Sequence, residues 1–228
     1  MTGGSSPAEP SLDCPLCPRL HGFIAEWRAK EPAWFNAPVP TWMPPEGPDA
    51  VRLLIVGLAP GLRGANRTGR PFTGDYAGDL LYATLKKFGL AKGVFEARPD
   101  DSLTLVGTAI TNAVRCVPPA NKPEGAEIAT CRQFLTATIA RFPKLRAVVA
   151  LGAISHQSTV RALGARVAAH KFGHGAEAEI GGLRLFSSYH CSRYNTNTGV
   201  LTTEMFERVF GEVAAYLGAP DEAVSPAP

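Results

Sequence analysis

RLLIVGLAPG, residues 52–61, is an apolar run of strand length that opens into a turn held between Gly57 and Gly61. A continuous apolar run suits a strand covered on both faces, as in a parallel sheet. Three further runs share this character: 104–110 (TLVGTAI), 146–151 (RAVVAL) and 184–189 (RLFSSY). Helical stretches are predicted over 78–89, 126–141, 153–163 and 202–217. The last is amphipathic, with Met205, Phe206, Val209, Phe210, Val213 and Leu217 to pack on the sheet. Strands alternating with helices specify a three-layer α/β/α domain around a central four-stranded, mainly parallel sheet. Ligands of such sheets sit beyond the carboxyl ends of the strands, so chemistry is to be sought in the loops there.

Two of those loops are rich in it. The first, GLAPGLRGANRTGRPFTGDYAG over 57–78, follows the opening strand. Its glycines allow close backbone approach to a ligand. Arg63, Arg67 and Arg70 supply charge, Phe72 a flat apolar face and Asp75 a carboxylate. Phe72 reads equally as a base-stacking ring or a loop anchor. Asp75 reads as a helix cap, or as a group that holds water or faces developing positive charge. The second loop, His190 to Asn197 (HCSRYNTN), ends the last apolar run. An imidazole at that strand end can donate a hydrogen bond to an oxygen gaining negative charge. Asn112, after the second strand, and Asn195 carry the donor and acceptor needed to read an amide-like base edge. As turn residues they have a plainer role. His21, His156, His170 and His174 show no partner motif and read as surface or packing residues.

The 228 residues suit a single domain over 11–218, with tails at 1–10 and 219–228 expected to be disordered. At 45% hydrophobic and 19% charged the chain is globular, and no apolar run approaches a membrane span. It is therefore expected to be cytoplasmic. A net charge of +3 permits a nucleic-acid partner without requiring one. Residues 30–50 are proline-rich, and their Trp34, Phe35 and Trp42 suit an arm clamped onto the body.

Cys14 and Cys17 form a C-x-x-C pair, and Cys116 and Cys131 can complete a set of four. Four thiolates suit zinc or an iron–sulfur cluster equally, and buried free thiols are the plainer alternative.

Taken together, GLAPG, NRTGRPFTGD, ITNAVRC followed by PP and NKP, and the run H-x-S-x-x-N-x-N-T-G-x-L-T resemble the uracil-DNA glycosylase superfamily, specifically its family 5. The resemblance covers most of residues 14–216. It implies a structural [4Fe–4S] cluster on Cys14, Cys17, Cys116 and Cys131. It implies a base pocket with Gly57, Ala59, Phe72, Asn112 and Asn121, and a catalytic set of Asp75, His190 and Asn195. Ala59 stands where other families carry a polar, water-handling residue, and Asp75 is the substitute. Cys191 departs from the proline usual after the motif histidine. The implied partner is double-stranded DNA containing deaminated bases, bound by a monomer associated with the nucleoid. Arg63, Arg67, Arg70 and Lys122 would contact phosphates, while Ser192, Arg193 and Tyr194 enter the minor groove. The implied reaction is hydrolysis of the N-glycosidic bond of uracil, and of hypoxanthine and xanthine, leaving an abasic site. A DNA binder of the same fold with weak turnover, and a zinc-stapled nucleotide hydrolase, are the rival readings.

Overall fold

A computed structural model describes residues 8–218. The apolar run at 52–57 forms β1 (Leu53–Gly57), with every residue buried. It lies between β4 (Thr108–Asn112) and β5 (Ala147–Leu151), parallel to both. β7 (Leu183–Ser188) extends the parallel set beyond β5. Alternation along β1 divides the core. Leu53 and Ile55 face one layer with α3 (Tyr76–Lys87) and α7 (Thr203–Gly218). Leu54 and Val56 face the other, with α4 (Gly125–Ala140) and α5 (Ala153–Ala162). The expected three-layer α/β/α architecture is present, and the face of α7 buries Phe206, Val209, Phe210, Val213 and Leu217.

The sheet has five strands rather than four, in the order β4-β1-β5-β7-β6. The additional β6 (Glu177–Ile180) is an antiparallel edge strand whose outward residues are charged. Edge strands carry charge that discourages pairing with other chains, so it has no apolar run to betray it. The stretch 104–110 is also divided. β3 (Thr104–Leu105) pairs with β2 (Ala91–Lys92) in a separate ribbon, and Gly107, at φ 56, turns the chain into β4. Three helices have no counterpart in the sequence reading: α1 (Pro18–Lys30), α2 (Ala65–Thr68) and α6 (Arg193–Asn197). α1 begins with proline at its first position, where a missing N–H costs nothing.

The 30–50 arm is clamped as expected. Trp42 exchanges two backbone hydrogen bonds of 2.9 Å with Ile110, and Trp34 stacks on Trp27 at 5.4 Å. Residues 8–10, expected within a tail, are held. The Ala8 carbonyl accepts from Thr138 Oγ1, and Glu9 pairs with buried Arg115 at 2.7 Å. The remaining tail residues, 1–7 and 219–228, lie outside the described residues. Among the described residues no helix is long and apolar enough to cross a membrane.

The chain passes from β1 outward to β4, then returns across β1 to β5. That reversal leaves a crevice at the carboxyl end of β1, where GLAPG begins.

Candidate active site

The carboxyl ends of β1, β4 and β7 bring three loops around one pocket with about 260 Å³ of empty space. Ala59, Phe72, Asp75, Asn112 and His190 line it, as the sequence reading expects, together with Pro60, Gly61, Ala65 and Ala77. The last four carry no titratable group, so only their smallness, beside known chemistry, could have marked them. Gly57 forms the floor. A Cβ there would lie 2.4 Å from Asn112 Oδ1 and 2.7 Å from Phe72 Cζ, so a bare Cα lets both side chains close in.

Phe72 is buried and stands at φ 52, a left-handed backbone conformation costly for an aromatic residue. Its ring lies nearly parallel to that of His190, with centroids 5.8 Å apart. The strain is held by the next turn. Arg70 Nε donates to Thr73 Oγ1 at 2.8 Å, and its guanidinium grips both oxygens of Asp101 at 2.7 and 2.8 Å. The Trp42 ring covers that guanidinium at 4.7 Å. Burial alone would raise the Asp101 carboxyl, but Arg70 and two backbone N–H groups hold it at about 2. Arg70 is therefore not a phosphate ligand as expected. It is a buried brace for the Phe72 turn.

Asp75 occupies the N-cap position of α3 without a well-aligned capping bond. Its Oδ1 is buried with no partner among the described residues. Its Oδ2 rests in a cradle of bare glycine Cα atoms, where a Cβ at Gly61 or Gly64 would fall 2.8 or 2.2 Å away. Burial pushes the carboxyl above its ordinary value, against the pull of the Ala77 N–H. A dry carboxylate with one oxygen unspent is costly to stability, and such groups cluster where chemistry needs them.

His190 has protein on every side but its pocket edge, and that burial lowers its pKa to about 4. At neutral pH it is an uncharged imidazole, with one N–H to donate and no ring partner among the described residues. Asn112 is buried, and its amide likewise has no partner there. The pocket therefore offers an aromatic face, an amide edge, a neutral donor and a carboxylate.

Asn195 and Asn121 are not in the pocket. Asn195 sits in α6, and its Nδ2 donates to the His190 carbonyl at 2.8 Å. Asn121 is exposed on a 3-10 turn (Pro119–Asn121) at φ 57, with exposed Lys122 after it. The expected minor-groove loop is a helical turn, because Ser192 caps it by accepting from the Asn195 N–H. Tyr194 projects from that turn, 74% exposed, and Arg193 lies over the Tyr76 ring at 5.2 Å. Arg63 and Arg67 are exposed and have no ion-pair partner among the described residues. Cys191 is fully buried, and its thiol donates to the Ala77 carbonyl at 3.4 Å. That bond links the loop after β7 to the start of α3.

Cys14, Cys17, Cys116 and Cys131 rim one small cavity behind this site, lined also by Leu20, Val114 and Phe134. Burial pushes the Cys17 thiol up to about 11, with Cys131, Glu127 and Cys14 adding to the rise. The Arg115 N–H donates to Cys131 Sγ at 3.3 Å. Among the described residues no three His, Cys, Asp or Glu side chains converge on a single ion.

The family model described as "Uracil DNA glycosylase superfamily" matches residues 44–214. The chain is 43% identical over 212 residues to the type-5 uracil-DNA glycosylase of Thermus thermophilus, covering 90% of this chain and 94% of that one. It is 41% identical over 215 residues to the type-5 enzyme of Mycobacterium bovis (90% and 78%). To that of Pyrobaculum aerophilum it is 37% identical over 211 residues (91% and 90%).

Proposed function

This chain belongs to the uracil-DNA glycosylase superfamily as a type-5 DNA glycosylase, and from that premise we propose that its pocket hydrolyses the N-glycosidic bond of deaminated bases flipped out of duplex DNA. The observation that carries this reading is the pairing of an unspent buried carboxylate, Asp75, with a neutral donor, His190, across one pocket.

The chemistry follows from the charges. A base within the duplex is out of reach, so the nucleotide swings out and the ring lies on Phe72. Asn112 reads its amide-like edge. As the C1′–N bond breaks, its electron pair leaves with the base and the sugar becomes cationic. The His190 N–H stabilises the base anion, and the Asp75 carboxylate faces the sugar cation and orients the attacking water. Water adds its oxygen to C1′, and its proton leaves by way of Asp75. No lysine lines the pocket, which supports simple hydrolysis to an intact abasic site.

Ala59 supports a broad substrate range. It sets no polar side chain against a larger base, which supports hypoxanthine and xanthine as substrates beside uracil. Exposed Arg63, Arg67 and Lys122 meet phosphates, while Arg193 and Tyr194 on the projecting turn fill the space the base vacates.

The four cysteines fit a structural [4Fe–4S] cluster. Cys116 and Cys131 are buried and Cys14 and Cys17 half-buried around one small cavity, and an all-cysteine donor set of this kind suits such a cluster. When bound, the cluster supplies a staple between α1, α4 and the strand-end segment carrying Cys116. Brown protein containing iron and acid-labile sulfide supports this reading; colourless, zinc-containing protein refutes it.

The test of function is a panel of duplexes carrying uracil, hypoxanthine or xanthine, followed by alkali. Alkali-dependent breaks at all three are expected. Breaks before alkali would refute simple hydrolysis, and release of uracil alone would refute the broad range.

A further inference from the structure

The β5–β7 ladder ends at the pair Leu151–Ser188, and the last sheet contact is the 2.7 Å bond from the Gly152 N–H to the Ser188 carbonyl. Tyr189 and His190 therefore lie past the sheet, where the backbone groups that orient the imidazole need other partners. Side chains supply them. His174 Nδ1 accepts the Tyr189 N–H at 3.1 Å, and its ring stacks on the Tyr189 ring at 5.0 Å and 23°. On the far side of His190, Asn195 Nδ2 donates to its carbonyl at 2.8 Å. Two side chains from different segments thus bracket the two residues that present the imidazole to the pocket.

We infer that His174 is a positioning residue for the glycosylase reaction, forming with Asn195 a clamp that sets the orientation of His190. The inference rests on the proposed role of His190. His174 never meets the base. It sits in the segment between α5 and β6, with its ring against Tyr189, and has no lining position in the base pocket. Its value lies in Nδ1 being an acceptor, which requires the tautomer with hydrogen on Nε2. Burial lowers its pKa, so the acceptor persists at neutral pH. A donor aimed at developing charge acts only within a narrow geometry, and a misplacement of about 1 Å can cost 100-fold in rate.

The conservative replacement is asparagine, whose Oδ1 stands at the same bond distance from Cα as Nδ1 and also accepts. In single-turnover uracil release, His174→Leu is expected to lose between about 10- and 100-fold in rate, with DNA affinity unchanged. His174→Asn is expected to recover most of that loss. Because the clamp acts through His190, His174→Leu should cost nothing further in a His190→Ala background. A wild-type rate for His174→Leu, an Asn variant as slow as Leu, or an undiminished loss in the His190→Ala background would each overturn the inference. Failure of the underlying reading looks different: His190→Ala would itself turn over at the wild-type rate.

Discussion

Gly64→Ala adds one methyl group, removes no functional group and changes no charge, yet it is expected to disable the pocket. The added Cβ would stand 2.2 Å from Asp75 Oδ2, where ordinary contact begins at about 3.4 Å. The oxygen must therefore retreat by about 1.2 Å. A displacement of that size in a group facing the reacting centre costs on the order of 100-fold, or about 2.7 kcal/mol of transition-state stabilisation. Gly61→Ala gives an internal scale. Its Cβ would lie 2.8 Å from the same oxygen, half the intrusion, and the rate should fall less. The assay is single-turnover uracil release at saturating enzyme, with thermal melting and DNA affinity measured in parallel. The expected order is wild type, then Gly61→Ala, then Gly64→Ala, with binding nearly constant. A folded Gly64→Ala protein with the wild-type rate would refute the claim that Asp75 placement governs chemistry.

Three other outcomes follow from the same geometry. Burial raises the Asp75 pKa, so activity should fail as pH drops through a value above the usual carboxylate range. A raised folded-state pKa also means that ionised Asp75 costs stability at neutral pH. Asp75→Asn should therefore lose the acid limb and most of the rate while melting higher, and a lower melting temperature would contradict this. Arg70→Gln breaks a fully buried ion pair and should cost about 3–5 kcal/mol in urea unfolding, whereas Arg67→Gln should leave stability alone and lower the salt dependence of DNA binding by about one ion. Cys131→Ser should yield protein with less iron, less visible absorbance and a lower melting temperature; full iron content in that variant would exclude Cys131 as a ligand.

The residues that the sequence makes legible are those whose chemistry is local. RLLIVG must be a covered strand, and a glycine turn after it must lie at a sheet end, so Ala59, Phe72 and Asp75 could be placed together before any contact was known. β6 escaped because an edge strand is meant to look polar, although Gly181-Gly182, at φ 60 and 78, forms the short link to β7 and was a readable hairpin signal. Arg70 misled for a different reason. Its sequence setting matches Arg63 and Arg67, and what separates it is Asp101, 31 residues away, which only folding brings to it. Asn195 and His174 were invisible as partners because they act on backbone atoms of Tyr189 and His190, and side-chain patterns carry no record of which carbonyl or N–H a residue will meet. The glycine cradle of Asp75 was half legible: glycines were expected to admit close approach, but the group they admit is the enzyme's own carboxylate.

Joint action of Asp75 and His190 on the glycosidic bond of an extruded base is read out by single-turnover release of uracil from duplex DNA. Wild type, Asp75→Asn, His190→Ala and the double variant are compared, with abasic sites revealed by alkali. Rapid release is expected of wild type, with losses of several tenfold factors in each single variant and DNA binding retained throughout. Wild-type protein that binds the duplex but yields no alkali-labile sites, or single variants that match wild type, would contradict it.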